Sequence, residues 1–288
     1  MTIAEALAEA AASLASGGVA EAAREAASLM MFSLGVDRSY LFAHPERDLT
    51  PAELDRYIAL VKRRTAREPF QHITGTQEFY GLDFAVSPDV LIPRPETEIL
   101  VEEALRIIQT NSVTRFAEIG IGSGCISISI LSNAAEVTAI AGDISPSAIK
   151  VARDNAERIG VIDRLAIIKS DVFGAFPDEA FPLIVSNPPY IPADEIEHLQ
   201  PEVGRHEPRA ALTDEADGLT IIERIITAAP RYLVPRGSLL MEVGWDQSDR
   251  VRRLFDEENW ASVEFLPDLQ GIPRIAKAVR SHHFMNSR

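Results

Sequence analysis

Between Thr114 and Arg280 short apolar runs alternate with amphipathic stretches, and no other feature of the chain constrains its fold as strongly. Residues 115–119, 137–141, 165–169 and 183–186 have the length and β-branched content of buried strands. A helix is expected from the glycine turn after Ile119 through Leu131, and another over 145–159. Residues 218–229 and 247–257 read as further helices, and 238–243, 263–266 and 275–280 as the closing strands. Strands and helices in alternation make an α/β domain with a doubly wound, mostly parallel sheet. In such sheets ligands gather at the carboxyl ends of the strands, near the point where strand order reverses.

The chain before this region is different. Alanine and leucine dominate residues 2–67, which read as helices broken near Gly17-Gly18, Gly35 and His44-Pro45. Thr50-Pro51-Ala52-Glu53 has the form of a helix start: Thr50 caps, Pro51 sits where an N–H is not needed, and Glu53 completes a capping box. After Pro69 the pattern shifts to alternation, and residues 77–86 predict a hairpin turning at Gly81. Pro88, Pro93 and Pro95 follow, then an amphipathic helix over 95–109. The expected organisation is a helical domain over 1–75, a hairpin linker over 76–93 and the α/β domain over 94–288.

The 288 residues carry a net charge of -15, which repels nucleic-acid phosphate, so no stable nucleic-acid partner is expected. Lys62, Arg63, Arg64 and Arg67 read as a solvated helix face. Cys125 is the only cysteine, which excludes an internal disulfide and a thiolate metal cluster and suits a reducing cytoplasm. No apolar run has transmembrane length, and the first 20 residues lack the basic flank of a signal peptide. Trp245 and Trp260 read as core or interface aromatics, His282-His283 as the end of a strand, and His206 equally as a groove or a surface residue.

Three weak signals combine at successive strand ends. Glu118-Ile119-Gly120-Ile121-Gly122-Ser123-Gly124 closes the first strand of the sheet, and alternate glycines let the backbone turn sharply and approach a ligand. The spacing is tighter than that of a dinucleotide fingerprint. Asp143, at the end of the next strand, can accept hydrogen bonds from both hydroxyls of a ribose. Asp171 follows the third strand and can face an adenine edge, with Val172 and Phe173 beside the ring. Together they point to a nucleoside ligand.

Asn187-Pro188-Pro189-Tyr190 follows the fourth strand, at the same edge. An amide nitrogen is a poor nucleophile because its lone pair is delocalised into the carbonyl. Its planar NH₂ offers two donors, and two acceptors can hold both. The side-chain oxygen of Asn187 can be one and the backbone carbonyl of Pro188 the other. Pro189 restricts Pro188 to extended geometry, and the Tyr190 ring can pack on a planar amide.

With these residues in place, the chain resembles the amino-group methyltransferases that carry an N-P-P-Y motif, and within them the release-factor glutamine methyltransferase (PrmC/HemK) family. The likeness extends to Glu68-Pro69-Phe70-Gln71-His72-Ile73-Thr74-Gly75, Ile92-Pro93-Arg94-Pro95-Glu96-Thr97-Glu98, Ser170-Asp171-Val172-Phe173, and Glu207-Pro208 with Ala211-Leu212. It implies a class I methyltransferase-like sheet with a small N-terminal helical domain that helps bind the substrate protein. It implies S-adenosylmethionine held by Arg94, Glu118, Gly120, Ile121, Gly122, Ser123, Gly124, Asp143, Asp171, Val172, Phe173 and Asn187, and no metal. It implies Asn187, Pro188 and Tyr190 as catalytic residues, with Pro189 and Glu207 also on the substrate. The substrate implied is the glutamine of the Gly-Gly-Gln loop of peptide chain release factors, in the cytoplasm. Three positions depart from the family pattern: Glu118 replaces the usual Asp, Ile121 the usual Thr, and His72 a frequent Tyr.

Three other readings use the same residues. A ribosomal-protein glutamine methyltransferase shares the tetrapeptide and differs in which protein accepts the methyl group. An adenine-specific DNA methyltransferase would need cationic DNA contacts, which the charge opposes. A binding protein that kept the fold without the activity would have no need of an intact Asn187–Tyr190 motif.

Overall fold

The computed structural model describes residues 1–282. Two compact units divide the chain: Met1–Gly75 with Gln200–His206, and Thr76–Leu199 with the chain from Glu207 onward.

In the first unit, helices α1 (Ile3–Ser16), α2 (Ala22–Leu34), α3 (Arg38–Ala43), α4 (Pro51–Thr65) and α5 (Phe70–Thr74) enclose one apolar core built on Ile3, Leu14, Leu29, Met30 and Tyr57. Helix starts follow capping chemistry. Thr2 and Thr50 each form a full capping box, with Glu5 and Glu53 respectively, and Pro51 occupies the first turn of α4. The basic cluster is only in part the solvated face expected, with Lys62 and Arg63 exposed. Arg64 is buried and bonds Glu25 and, at 2.8 Å, Glu202, which also takes Arg67. Two carboxylates brought in from distant sequence neutralise a guanidinium that could not otherwise be buried. Glu202 belongs to a short helix over Pro201–His206 that sequence periodicity did not reveal.

The second unit opens with the hairpin β1 (Thr76–Phe79) and β2 (Leu82–Ala85). Phe79 and Phe84 are buried in the same core as Leu100 and Ile128, so residues 76–93, expected as a linker, begin as an integral part of this unit. A 3₁₀ turn over Pro95–Thr97 leads into α6 (Glu98–Asn111). Then follow β3 (Arg115–Ile119), α7 (Cys125–Asn133), β4 (Thr138–Asp143), α8 (Pro146–Ile159), β5 (Leu165–Lys169) and β6 (Phe181–Ser186). After the short helix α9 (Pro201–His206), which belongs to the first unit, come α10 (Arg209–Leu212), α11 (Thr220–Tyr232), β7 (Leu233–Glu242), α12 (Ser248–Arg252), β8 (Trp260–Pro267) and β9 (Pro273–Arg280).

The seven-stranded sheet has the order β5-β4-β3-β6-β7-β9-β8, and only β9 runs against the rest. The expected doubly wound, mostly parallel sheet is what forms. Strand order reverses between β3 and β6, so the glycine turn and the Asn187 tetrapeptide leave the carboxyl ends of adjacent strands. α12 is much shorter than the 247–257 expected, and Asp256 Oδ1 accepts from Asn259 N at 2.7 Å in the turn that follows. Trp260 is buried as expected, but Trp245 is 62% exposed rather than in the core. His206 ends α9, and His282 lies beyond the last strand; His283 falls outside the described residues.

Candidate active site

A cavity of about 630 Å³ opens at the carboxyl ends of β3, β4, β5 and β6. Its floor is the glycine turn. Gly120, Gly122 and Gly124 all have positive φ, at 79°, 54° and 85°. A Cβ on Gly122 would meet open space, whereas one on Gly124 would strike Ile128 Cδ1 at 2.6 Å, so Gly122 lies open and Gly124 packs α7 against its neighbour. The turn is tied on two sides. Asp143 Oδ2 accepts from Gly122 N at 2.9 Å, and buried Asn155 of α8 donates to Ser123 O at 2.8 Å while also clamping Ala85 of β2.

Glu118 closes β3 with no solvent exposure. Its Oε2 accepts from the backbone and hydroxyl of Ser127, and its Oε1 has no partner among the described residues. Burial pushes the carboxyl up to about 8. An orphaned carboxyl oxygen lining a cavity is one polar group available to a ligand.

The far wall follows β5. Val172 has φ 50°, a costly conformation for a β-branched residue. Ser170 stabilises it, donating to Val172 O at 2.8 Å and accepting from Ala175 N at 3.0 Å. Strain held by its surroundings at a cavity wall is a common mark of a ligand site. Asp171 is exposed there and bonds Arg224 of α11 at 2.8 Å. Ile144, 58% exposed, adds an apolar surface beside Asp143.

Asn187, Pro188 and Pro189 line the opposite side. Asn187 Nδ2 donates to Thr97 Oγ1 at 3.2 Å, and Thr97 Oγ1 donates to Glu242 Oε2 at 2.6 Å. The phenol of Tyr190 donates to the other oxygen of Glu242 at 3.1 Å. Glu242 ends β7 and is buried; burial raises its carboxyl, and the hydroxyls of Thr97 and Tyr190 oppose that rise.

The turn, the acidic strand ends and the tetrapeptide thus surround one cavity. A family model described as the methyltransferase small domain matches residues 96–200, and one described as the PrmC N-terminal domain matches residues 5–75. A release factor glutamine methyltransferase of Geobacter sulfurreducens is 43% identical over 262 residues, which cover 91% of each chain. This chain belongs to the release factor glutamine methyltransferase family. Another member, from Cereibacter sphaeroides, is 41% identical over 96% of this chain and 98% of its own. Among solved structures, the catalytic domain of hMettl16 in complex with the MAT2A 3'UTR hairpin 6 aligns with a TM-score of 0.59 at 16% identity, covering 86% of this chain and 94% of its own. That likeness concerns the fold alone. As a member of this family, the protein is a methyltransferase.

The structure brings most of the expected cofactor residues to the cavity: Arg94, Glu118, Gly120, Ile121, Gly122 and Ser123 on one side, Asp143, Asp171 and Val172 on the other, with Asn187. Four expected residues sit elsewhere. Gly124 lies beneath, in packing. Phe173, expected beside a ring, is buried in the core and stacks on Tyr232 with centroids 4.5 Å apart, because the turn at Val172 directs its side chain inward. Tyr190 does not line the cavity either; burial pushes its phenol well above the usual range, and its hydroxyl anchors the loop to Glu242. Glu207, expected on the substrate, is buried and accepts from Arg94 at 2.5 Å and from Ile92 N at 3.2 Å, so it holds the segment that carries Arg94. Thr97, Glu242 and Arg224 were not singled out from sequence. Thr97 stands inside the Ile92–Glu98 segment that carries the family likeness, and a glutamate after the apolar run Leu239-Leu240-Met241 is the sequence signal for Glu242. Among the described residues no cluster could hold a metal ion, and no helix is long and apolar enough to cross a membrane.

Proposed function

We propose that this protein transfers a methyl group from S-adenosylmethionine to the side-chain amide nitrogen of the glutamine in the Gly-Gly-Gln loop of peptide chain release factors. The observation that carries the reading is the placement of Asn187 and Pro188 on the same cavity as the glycine turn, with the NH₂ of Asn187 occupied by Thr97. That bond leaves the carbonyl branch of Asn187 to accept from a substrate amide.

The residues present fit the cofactor. The open backbone at Gly122, the Asp143 carboxylate on β4, the orphaned oxygen of Glu118 and the apolar surface of Ile144 make a donor, acceptor and apolar set suited to an amino-acid nucleoside. Glu118, Gly120 and Ser123 would hold the amino-acid end with Arg94, and Asp143, Ile144, Asp171 and Val172 the nucleoside. S-adenosylmethionine bound there supplies a methyl group activated by its sulfonium.

The chain's own part is then positioning. Asn187 Oδ1 and the Pro188 carbonyl take one hydrogen each of the substrate amide, which fixes its plane. The loop is rigid because Tyr190 is tied at both ends, its hydroxyl to Glu242 and its carbonyl to Gln247 Nε2 at 2.8 Å. Orientation of this kind is worth orders of magnitude when the nucleophile is weak. The reaction needs no dedicated base, because the N-methylated amide cation is acidic enough to lose its proton to water. The single cysteine, Cys125, has its thiol pushed up to about 12 by burial and takes no part. The acidic chain fits a basic protein partner rather than nucleic acid, and a reducing cytoplasm is the proposed setting.

The test is mass spectrometry of purified release factors incubated with enzyme and S-adenosylmethionine, with single-turnover rates for Asn187→Ala. The expected result is one methyl on the loop glutamine, and a rate lowered on the order of a hundredfold in the variant with cofactor affinity nearly unchanged. A folded Asn187→Ala protein working at the full rate would refute the amide grip. Methylation of a ribosomal protein in place of the release factor would refute the substrate assignment.

A further inference from the structure

Glu242 is a buried carboxylate; Arg274 favours its charge but pairs with Asp268, and among the described residues no ion pair reaches Glu242. Both its oxygens are taken by hydroxyls of the site. Oε2 accepts from Thr97 at 2.6 Å, and Oε1 accepts from Tyr190 at 3.1 Å. Two ends of the tetrapeptide are thereby anchored to one group: Tyr190 directly, and Asn187 through Thr97 at 3.2 Å.

Hydrogen-bond bookkeeping makes this relay directional. Burial raises the Glu242 carboxyl, but the bonds from Thr97 and Tyr190 oppose that rise, and with both hydroxyls donating, Glu242 acts as a carboxylate that only accepts. The single hydrogen of the Thr97 hydroxyl therefore goes to Glu242. Thr97 Oγ1 can then meet Asn187 only as an acceptor, so the side facing it must be NH₂. An asparagine amide is nearly symmetric in shape, and its own packing does not decide which branch faces which way. Here the decision is made two residues away. Reversed, the amide would present donors to a substrate nitrogen that itself offers only donors, and the grip would become a repulsion.

We propose that Glu242 is a positioning residue for methyl transfer, acting through Thr97 to fix the Asn187 amide with its oxygen toward the substrate nitrogen. The inference rests on the amide-grip reading of Asn187. It explains why a buried acid follows the apolar run Leu239-Leu240-Met241 beside a site whose chemistry needs no base. Burying an acid outside any direct ion pair is costly, and a site that needs one fixed polarity gives it a use.

Glu242→Gln is nearly isosteric and inverts the donor pattern. If its NH₂ faces Thr97, the threonine hydrogen is released toward Asn187 and the amide turns over. If it faces Tyr190, the phenol loses its acceptor. Thr97→Val removes the relay while keeping the shape, and serves should Glu242→Gln fail to fold. Single-turnover transfer to a purified release factor, steady-state kcat and KM, and calorimetric binding of S-adenosylmethionine are measured on each, alongside Asn187→Ala. The expected result is a fall in rate on the order of ten- to a hundredfold for Glu242→Gln and Thr97→Val, borne by kcat, with cofactor affinity within about twofold of the parent. Thr97→Ser, which keeps the hydroxyl, recovers most of the rate lost in Thr97→Val. Full rates in Glu242→Gln and Thr97→Val beside a slow Asn187→Ala overturn the relay and leave the amide grip standing. Equal loss in Thr97→Ser and Thr97→Val, or a loss that cofactor binding shares in full, also overturns it. Full rate in Asn187→Ala overturns the amide grip itself.

Discussion

At the scale of single residues, Glu118 has the clearest pH signature. Its carboxyl shifts from 4.5 to about 8, chiefly because burial disfavours the charge, with the hydrogen bonds from Ser127 opposing. The native protein therefore keeps a proton that the unfolded chain has already released. This contribution to stability is fully present below about 4.5 and is lost as pH rises through about 8. Within that window the ligand-free protein should lose stability at about 1.4 kcal/mol per pH unit on account of this group. Glu118→Gln cannot titrate and should flatten the slope. Urea midpoints of both proteins across the window decide the matter, and parallel slopes would mean that Glu118 is ionised in the fold. The same residue scale shows where sequence reading stopped. The places of Asp143 and Asn187 on the cavity were legible because one ends β4 and the other directly follows β6 at the binding edge. Phe173 and Tyr190 are expected on the ligand from their place after a strand end, and Glu207 from the resemblance, yet a turn's backbone sets side-chain direction and no periodicity reports that.

At the scale of elements, the strands and the capped helices of both units could be read directly, since spacing and capping are local. The short helices α9 and α10 could not, because their formation depends on partners far away in sequence, as with Glu202 on Arg64 and Arg67. The start of α11 shows how such distant contacts shape the site. Gly218 has φ +77°, and a Cβ there would lie 2.1 Å from the Tyr190 carbonyl oxygen and 2.9 Å from Gln247 Nε2. Backbone on one side and a clamping amide on the other leave little room to yield. Gly218→Ala should cost about 1–3 kcal/mol from overpacking beyond the left-handed penalty, and displace the tetrapeptide enough to slow methyl transfer. Gly160→Ala is the control, with φ +84° and nothing within 4 Å, so it pays the conformational penalty alone. The comparison is made by urea unfolding and single-turnover rates. Equal effects in the two variants would show that the Tyr190 carbonyl moves aside freely.

At the scale of the whole molecule, the apolar cores are separate. The helical unit's core runs from Ile3 to Ile73, and the cores around the sheet start at Phe79. Every cavity-lining residue falls at Asp89 or later, and none in Gln200–His206. Deleting residues 1–75 therefore removes one core entire and leaves the cofactor cavity's own walls. It also strips Glu202 of both arginines, so α9 loses the contacts that hold it, while Glu207, immediately after, keeps Arg94. The truncated protein should bind S-adenosylmethionine with an affinity within a few fold of the parent. It should fail to methylate an intact release factor, because the unit that the family resemblance assigns to substrate recognition is gone. Circular dichroism establishes that the remainder is folded, calorimetry gives the cofactor affinity, and transfer to the intact factor gives the activity. A folded truncation that methylates at the parental rate would show that recognition resides in the sheet-bearing unit. Loss of cofactor binding from a folded truncation would show instead that the cavity depends on α9 being held, and that the two units are coupled through the seven residues Gln200–His206 contribute to the first.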